Sequence, residues 1–520
     1  MDAFEKGAGD EALPTAVDVA EKQKNSIIRD GDGTKQAAVR QTTRRAIEPT
    51  MERRVVRKFD WHFVPLVTVL YLLSFLDRSN IGRYEDRPRL DRRPLRWLLT
   101  IFYIAYIVFE FLILGWKKFP PHIWATVVVF AWGLVATLQA ATQSWGGEMA
   151  LRFLLGMSEA GFGPGIPYLL SFFYLRHELG FRCGFFLAGR FLPLICRPKA
   201  TSHAFEAAPL ATCFAGALAY GVTSGHPGIA NWRLLFLVEG LPTILMAPVA
   251  FFFLPDTPHQ ARFLTEDEKE IALARGVRQA GYEERVGGIV WKDIGLTLLD
   301  PKAWFTALMY FSCNVSFSSL PVFLPTILNE MGFTAIHAQG LRTTWVADRI
   351  EQRGLTIITM SVVGAIGYIV LATTTAVGPR YFATFLAAAG VFPCIANILP
   401  WVMNNQGTDT RRGTGMVLLN LTGQCGPLLG TRIYPSTEGP RYVKGHAICA
   451  GFFFFTTLLA AGLRTLLAWE NKKLDRRYGS LEERRTTATG DDAVGEIDGG
   501  KEAEASVGVE NCGPLYRYVL

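Results

Sequence analysis

Charge is what this chain has least of. Only 19% of its 520 residues are Asp, Glu, Lys or Arg, while half are apolar and 36 are Phe. That balance is too apolar for one soluble domain and leaves a polytopic membrane protein. Metal and redox chemistry have little to draw on. The eight His are scattered, no HExxH motif occurs, and no CxxC pairs any of the eight Cys. A zinc or dithiol centre is therefore excluded, and no metal or cofactor is expected. Cys213, Cys313, Cys394, Cys425 and Cys449 lie inside apolar runs, where packing is their ordinary role. No serine-hydrolase elbow sits in a strand-turn-helix setting. The GFGPG at 161–165 follows no strand, so it is not a nucleotide loop. Asn314-Val-Ser316 and Asn420-Leu-Thr422 match glycosylation signals but fall within spans. The first 58 residues lack an early apolar core, which argues against a cleavable signal peptide. The first span is then its own insertion signal. The formal charge of +7 is spread over loops and tails, so nucleic acid is not an expected partner.

What is present is a series of long apolar runs. The most informative is Ala150 to Leu175. At ~1.5 Å per residue its 26 residues would span roughly 39 Å, more than the ~30 Å hydrocarbon core. It carries Arg152 and Glu159, costly in lipid unless they face protein or a water-filled path. It also carries Gly161, Gly163, Pro164, Gly165 and Pro167, which allow close helix approach and a bend.

Taken in order, residues 1–58 read as a disordered cytosolic tail. Arg53, Arg54, Arg57 and Lys58 then precede span 1 (Trp61 to Ile81) and hold the N-terminal side in the cytosol. Further spans are expected at Trp97–Trp116, His122–Ala141, Ala150–Leu175 and Trp232–Leu254. Between the last two, Phe181–Gly189 and Ala207–Val222 read as one span split by Arg190–Glu206. An N-terminal half of six spans over 59–254 results. Residues 255–302 form a polar loop in which seven basic residues mark the cytosolic side, and Thr265 with Glu268 reads as a capping box. The second half, 303–470, shows five spans: Ala303–Leu328, Leu355–Thr375, Tyr381–Met403, Gly413–Ile433 and His446–Trp469. Residues 471–520 read as a disordered cytosolic tail. Five spans in this half would put Arg349, Arg353 and the Lys472–Arg477 cluster outside, against the positive-inside rule. One further span between Met331 and Ile350 would repair both, but that segment has no run long enough to cross.

RKFDWHFVPLVTVLYLLSFLDRSNIG resembles the first span of the major facilitator superfamily, in the fungal anion:cation symporter group of allantoate and vitamin-acid permeases. The resemblance continues through FYIAYIVFEF, RFLLGMSEAGFGPG, NWRLLFLVEGLPT, FLPDTPHQARFLTEDE, WVMNNQGTDTRRGTGM and GQCGPLLGTRIY, over roughly 53–478. It implies an all-α membrane fold of two six-helix halves around a substrate cavity, with alternating access by rocking. Three segments depart from it. Helix eight is missing, since Leu341 passes directly to Ala347-Asp348-Arg349. Arg190–Glu206 interrupts helix five. Arg83–Arg96 places six Arg in an external loop. The abrupt edges fit gene-model artefacts, a retained intron, a skipped exon and a misplaced boundary near Gly82, which sequencing transcripts tests. A diverged transporter is the other reading.

Several residues could carry chemistry. Glu110 falls near mid-membrane in span 2. A carboxylate there is costly while charged, which suits a proton carrier; a structural partner for an Arg is the alternative. Arg152 and Glu159, seven apart, share a helix face, with Arg152 nearer the outer mouth. The resemblance links Arg152 to proton coupling, and an Arg also suits an anionic substrate. A snorkelling Arg152 and a structurally paired Glu159 are the alternatives. Asp77 and Arg78 end span 1 and could gate, or be solvated. Asp348, Arg349 and Arg353 resemble the superfamily's Asp-Arg loop, which locks conformations. Arg176, His177, Glu178 and Arg182 read as a solvated loop or an inner-gate relay. Asn404 and Asn405 read as a helix cap or as substrate contacts. Gly423, Gly426 and Gly430 read as a packing face between halves.

The function expected is a secondary active transporter. The resemblance implies proton-coupled uptake of a small organic anion, by a monomer in the plasma-membrane bilayer. A non-transporting nutrient sensor and an inactive product of a faulty gene model are the alternatives. A membrane enzyme lacks the clustered His, Asp or Cys it would need.

Overall fold

The computed structural model describes residues 49–79, 96–188, 230–280, 287–328, 352–430, 432–434, 438, 441–480 and 516–520. The Arg190–Glu206 insert, the place where helix eight would stand, and all but the last residue of the Arg83–Arg96 loop lie outside the described residues, as do Asp348 and Arg349.

The described chain is a helix bundle. Its elements are α1 (Pro49–Ser79), α2 (Arg96–Val108) with a 3-10 turn (Glu110–Leu114) and short α3 (Gly115–Lys118), α4 (Pro121–Leu138), α5 (Trp145–Ala160), α6 (Gly165–Phe173), α7 (Arg176–Ala188) and α8 (Asn231–Phe253). The central segment adds α9 (Glu266–Ala280) and α10 (Trp291–Leu299). The second half supplies α11 (Pro301–Leu328), α12 (Arg353–Thr373), α13 (Val377–Asn404), α14 (Asp409–Gly423), α15 (Cys425–Gly430) and α16 (Val443–Tyr478). Among the described residues five helices are long and apolar enough to cross a membrane, and six if the bent α2–α3 pair is one span. Their outward faces carry Val127, Phe130, Leu134, Leu245, Phe252, Ile366, Phe382 and Leu458, all exposed. So much apolar surface is tolerable facing lipid and not facing water. The protein is an integral, multi-pass membrane protein.

Polar sequence extends helices where hydropathy ends the spans. Helix α1 begins at Pro49, a suitable first helical residue, so the first tail does not stay irregular up to residue 58. Helix α16 runs to Tyr478, eight residues beyond the expected boundary at 470, and residues 516–520 pack on the inner face. The tail from Asn471 is thus partly ordered, because its charged residues form a helix extension and its last residues find hydrogen-bond partners. The central segment is also more than a loop. The Glu268 carboxylate accepts the Thr265 N–H at 2.9 Å, half of the expected capping box, and starts α9.

Span 4 divides into α5 and α6. Pro164 and Pro167 cannot supply the N–H groups that would bond the carbonyls of Ala160 and Gly163. Beside the break the Trp116 indole N–H donates to the Gly161 carbonyl at 2.7 Å. The same indole lies against Gly165, where any Cβ would collide with it. Gly156 seats α5 directly on the Phe102 carbonyl of α2 in the same way. The core is shared by both halves and includes Phe59, Trp116, Tyr168, Met309, Trp401 and Leu463. The glycine face of α14–α15 serves another purpose than expected. Gly423 meets the Tyr310 ring and Gly426 the Phe311 carbonyl, so it packs on α11 inside the second half. The close approach between halves falls instead at Gly413, against Leu114 and Tyr168.

Candidate functional site

Glu110 sits where span 2 breaks. Helix α2 ends at Val108, Phe109 leaves helical geometry with ψ 10°, and the axis turns by 44°. The 3-10 turn that follows buries Glu110 completely and aims Leu114 at Gly413 of α14. Tyr310 of α11 lies within electrostatic reach of both Glu110 and Tyr71 of α1. One carboxyl therefore stands at the junction of the halves, facing elements of each. An irregular turn at membrane depth is tolerated where it is buried in protein or lines a cavity.

Arg152 lies in the outer part of α5, 2% exposed. Its partner is Glu148, one turn back, with Nε 3.6 Å from Oε1. Glu148 in turn accepts from the Thr142 hydroxyl at 2.8 Å. The Phe236 ring of α8 covers the guanidinium at 5.7 Å. A span starting at Ala150 leaves this pair out, because the WGGE before it belongs to the helix from Trp145. The Ser144 hydroxyl caps that helix by accepting from Gly147 N–H at 3.1 Å. Glu159 is fully buried in the last turn of α5, at the break. A fourth carboxylate, Glu239 of α8, is 2% exposed and went unmarked in the sequence, although an acid within NWRLLFLVEGLPT was the signal.

The inner face, cytosolic by the charge rule, is tied by ion pairs. Arg182 grips Asp60 with two bonds of 2.9 Å. Arg275 of α9 bonds Glu52 at 2.8 Å and Glu178 at 2.6 Å. Lys58 meets Glu268 at 2.5 Å. Burial pushes the Glu178 carboxyl upward, but Arg275, Arg182, His177 and the Leu175 N–H outweigh it and hold it below the ordinary carboxylate range. Glu268 is likewise held low, chiefly by Lys58 and the Thr265 N–H against the cost of burial. The 176–182 segment is thus not a solvated loop; of its four charged residues, His177 is the exposed one. Across the halves, Arg176 donates to the Asn404 carbonyl and Asn404 Nδ2 returns a bond to the Arg176 carbonyl at 3.2 Å. The Tyr168 hydroxyl donates to the Asp409 carbonyl at 2.7 Å. Asn404 and Asn405 spend their side chains on these longer-range contacts rather than on capping α13.

The remaining sequence candidates are scattered. Arg353 opens α12 and is 2% exposed, at the inner end of the second half. Asp77 and Arg78 lie in the last turn of α1, with side chains outside the described set. In the second half Asn314 Nδ2 donates to the Gly423 carbonyl at 3.3 Å, tying α11 to α14 beside Tyr310.

A buried carboxyl at the junction of two helical halves, with further buried charges inside an apolar belt, is the arrangement of a membrane transporter. The sequence model of the Major Facilitator Superfamily matches residues 69–431, and the chain belongs to that family. It is 32% identical over 465 residues to the MFS transporter prlL of Fungal sp. (strain NRRL 50135), covering 83% of this chain and 89% of that one. Among solved structures, the proton:xylose symporter XylE bound to 6-bromo-6-deoxy-D-glucose superposes with a TM-score of 0.55 at 13% identity, over 78% of this chain and 96% of its own. The E. coli fucose:proton symporter FucP gives 0.54 at 13% identity, over 77% and 98%. The protein is a secondary transporter with the major facilitator fold, and its relatives are transporters rather than enzymes.

Proposed function

We propose that the protein is a proton-coupled importer of a small organic anion, in the anion:cation symporter branch, acting as a monomer in the plasma membrane. The observation that carries the coupling is Glu110, wholly buried at the break in span 2 and facing both halves. Burying a charged carboxylate costs several kcal/mol, so its proton occupancy is bound to the conformation around it. Two proton symporters share the fold, which supports the same cycle here. Arg152 is held by Glu148 and covered by Phe236. In this reading it balances the carboxylates Glu148 and Glu159 as protons come and go, and does not itself meet the anion. The anion class rests on the subgroup resemblance of the sequence. Residues 59–254 and 303–470 act as the two moving halves, with Asp77, Arg78, Asp348, Arg349 and Arg353 as gating charges.

The test is uptake in a permease-deficient yeast expressing the full chain, across labelled carboxylates, ureides and vitamin acids at several pH values. Uptake of one class that rises as external pH falls, and that is lost in Glu110→Gln, is expected. Uptake independent of pH, or unaltered in Glu110→Gln, removes the coupling. Uptake of neutral sugars alone removes the anion.

A further inference from the structure

Residues Tyr516–Leu520 lie on the inner face with no regular secondary structure, and the second half reads their backbone. Asn405 Oδ1 accepts from the Val519 N–H at 2.9 Å while its Nδ2 donates to the Val519 carbonyl at 3.1 Å. Asn471 treats Tyr518 in the same way, with both bonds 2.9 Å. The Trp401 indole N–H gives the Val519 carbonyl a second donor at 2.8 Å, and the Gly354 N–H donates to the Leu520 carbonyl at 3.2 Å. Two Asn side chains that each satisfy both polar groups of one residue form a peptide-binding groove. Such a groove holds a segment by its main chain and tolerates varied side chains.

The side chains of the segment add direction. Tyr518 lies 4.8 Å from the Lys302 ammonium, and Arg517 bonds Asp475 at 3.2 Å, both on the second half. Tyr516 points the other way. Its ring is 4.9 Å from the Arg176 guanidinium, on the segment that joins spans 4 and 5 of the first half. That guanidinium is the one that donates to the Asn404 carbonyl. The segment therefore bridges the halves where they already touch. Opening the inner side by rocking must pull Arg176 away from Asn404 and Tyr516 together.

We propose that Tyr516–Leu520 is a built-in latch: the Trp401–Asn405–Asn471 groove anchors it to the second half, and Tyr516 clamps Arg176 of the first, holding the inner side closed. The latch stands independently of the anion and of proton coupling, because its test uses no substrate. The variant is Val519→Pro in the full chain. Proline has no N–H to give Asn405, and the substitution leaves every helix untouched. Hydrogen–deuterium exchange of the purified protein in nanodiscs reads the opening. Losing that hydrogen bond is expected to speed exchange across residues 168–182 of the first half roughly fivefold. Tyr516→Ala, which removes only the clamp, is expected to give most of that acceleration. A Tyr516→Cys, Arg176→Cys pair is expected to be joined by a bifunctional thiol reagent that bridges the lost length of the two side chains, and to suppress the exchange. Faster exchange confined to residues 401–405 and 516–520 overturns the latch and leaves a passive anchor. Unchanged exchange with no cross-link overturns the docking itself.

Discussion

The two halves bury different polar chemistry. Within the described spans the first half encloses four carboxylates, Glu110, Glu148, Glu159 and Glu239, together with the cations Arg152 and Lys117. The second half encloses amides, hydroxyls and an imidazole: Asn314, Asn397, Asn420, Ser361, Thr384, Thr456 and His446. Its buried Arg353, Asp409 and Arg412 sit at the inner helix ends. An amide keeps its charge state at every pH, and a carboxylate does not. The amides bond local carbonyls, as Asn397 does Pro393 at 2.8 Å and Asn420 does Met416 at 2.9 Å. His446 apart, a half built this way can orient a ligand but holds no side chain within its spans that stores protons. The difference assigns proton binding to the first half in the proposed cycle and leaves hydrogen-bond recognition to the second.

Glu110→Gln breaks that comparison most sharply. It makes the first half resemble the second at the junction. Proton-driven accumulation should fall by roughly three orders of magnitude, the scale of removing a proton-transfer group, while substrate exchange at equal pH persists. Tracer accumulation and counterflow, measured side by side, separate the two.

Arg275→Ala comes next and probes whether the inner ion pairs belong to the charged half alone. It takes the Arg275 guanidinium away from Glu178 and Glu52. Loss of about 3 kcal/mol is expected for breaking a pair this well buried. The sign with pH is fixed. Glu178 is held below its ordinary value of 4.5 in the folded protein. Its contribution is full above that ordinary value and is lost as pH falls through the depressed one. Melting curves in detergent should show the variant less stable at neutral pH, with the gap to the parent closing as the medium is made acid.

A paired substitution asks whether packing differs as the charges do. Gly156 abuts the Phe102 carbonyl in the first half and Gly390 abuts Gly364 in the second. Valine at either should overpack a helix crossing and cost about 2 kcal/mol in each. Equal drops in melting temperature would show that the halves share packing and differ only in buried chemistry.

How much of this was legible depended on the length scale of the signal. Apolar runs marked the spans, because lipid penalises every uncompensated polar group alike. Glu110 and Arg152 stood out for the same reason. The Arg152–Glu148 pair did not, since Glu148 sits in a stretch whose Gly, Ser and Gln read as loop until the helix is seen to start at Trp145. The bend at Phe109 carries no Pro or Gly to announce it. Asn404 and Asn405 looked like a helix end, and their partners, Arg176 and Val519, are remote in sequence. Contacts between distant segments leave no periodicity to read. The docked Tyr516–Leu520 follows a stretch of charged and Gly-rich composition, which hid it.

Asn314→Ala sharpens the comparison with the smallest effect. The lost bond joins α11 to α14 at the Gly423 carbonyl, 3.3 Å long and neutral. A neutral hydrogen bond contributes about 1 kcal/mol net, so half-saturation should shift by roughly fivefold at most. If the second half only recognises, that shift is the same at every pH, because no charge has been removed. Uptake titrated at two pH values decides the matter. A shift that grows with acidity would make Asn314 part of the proton path through its neighbour Tyr310, which lies within reach of Glu110. The division of labour between the halves would then fail at the one place where they share a site.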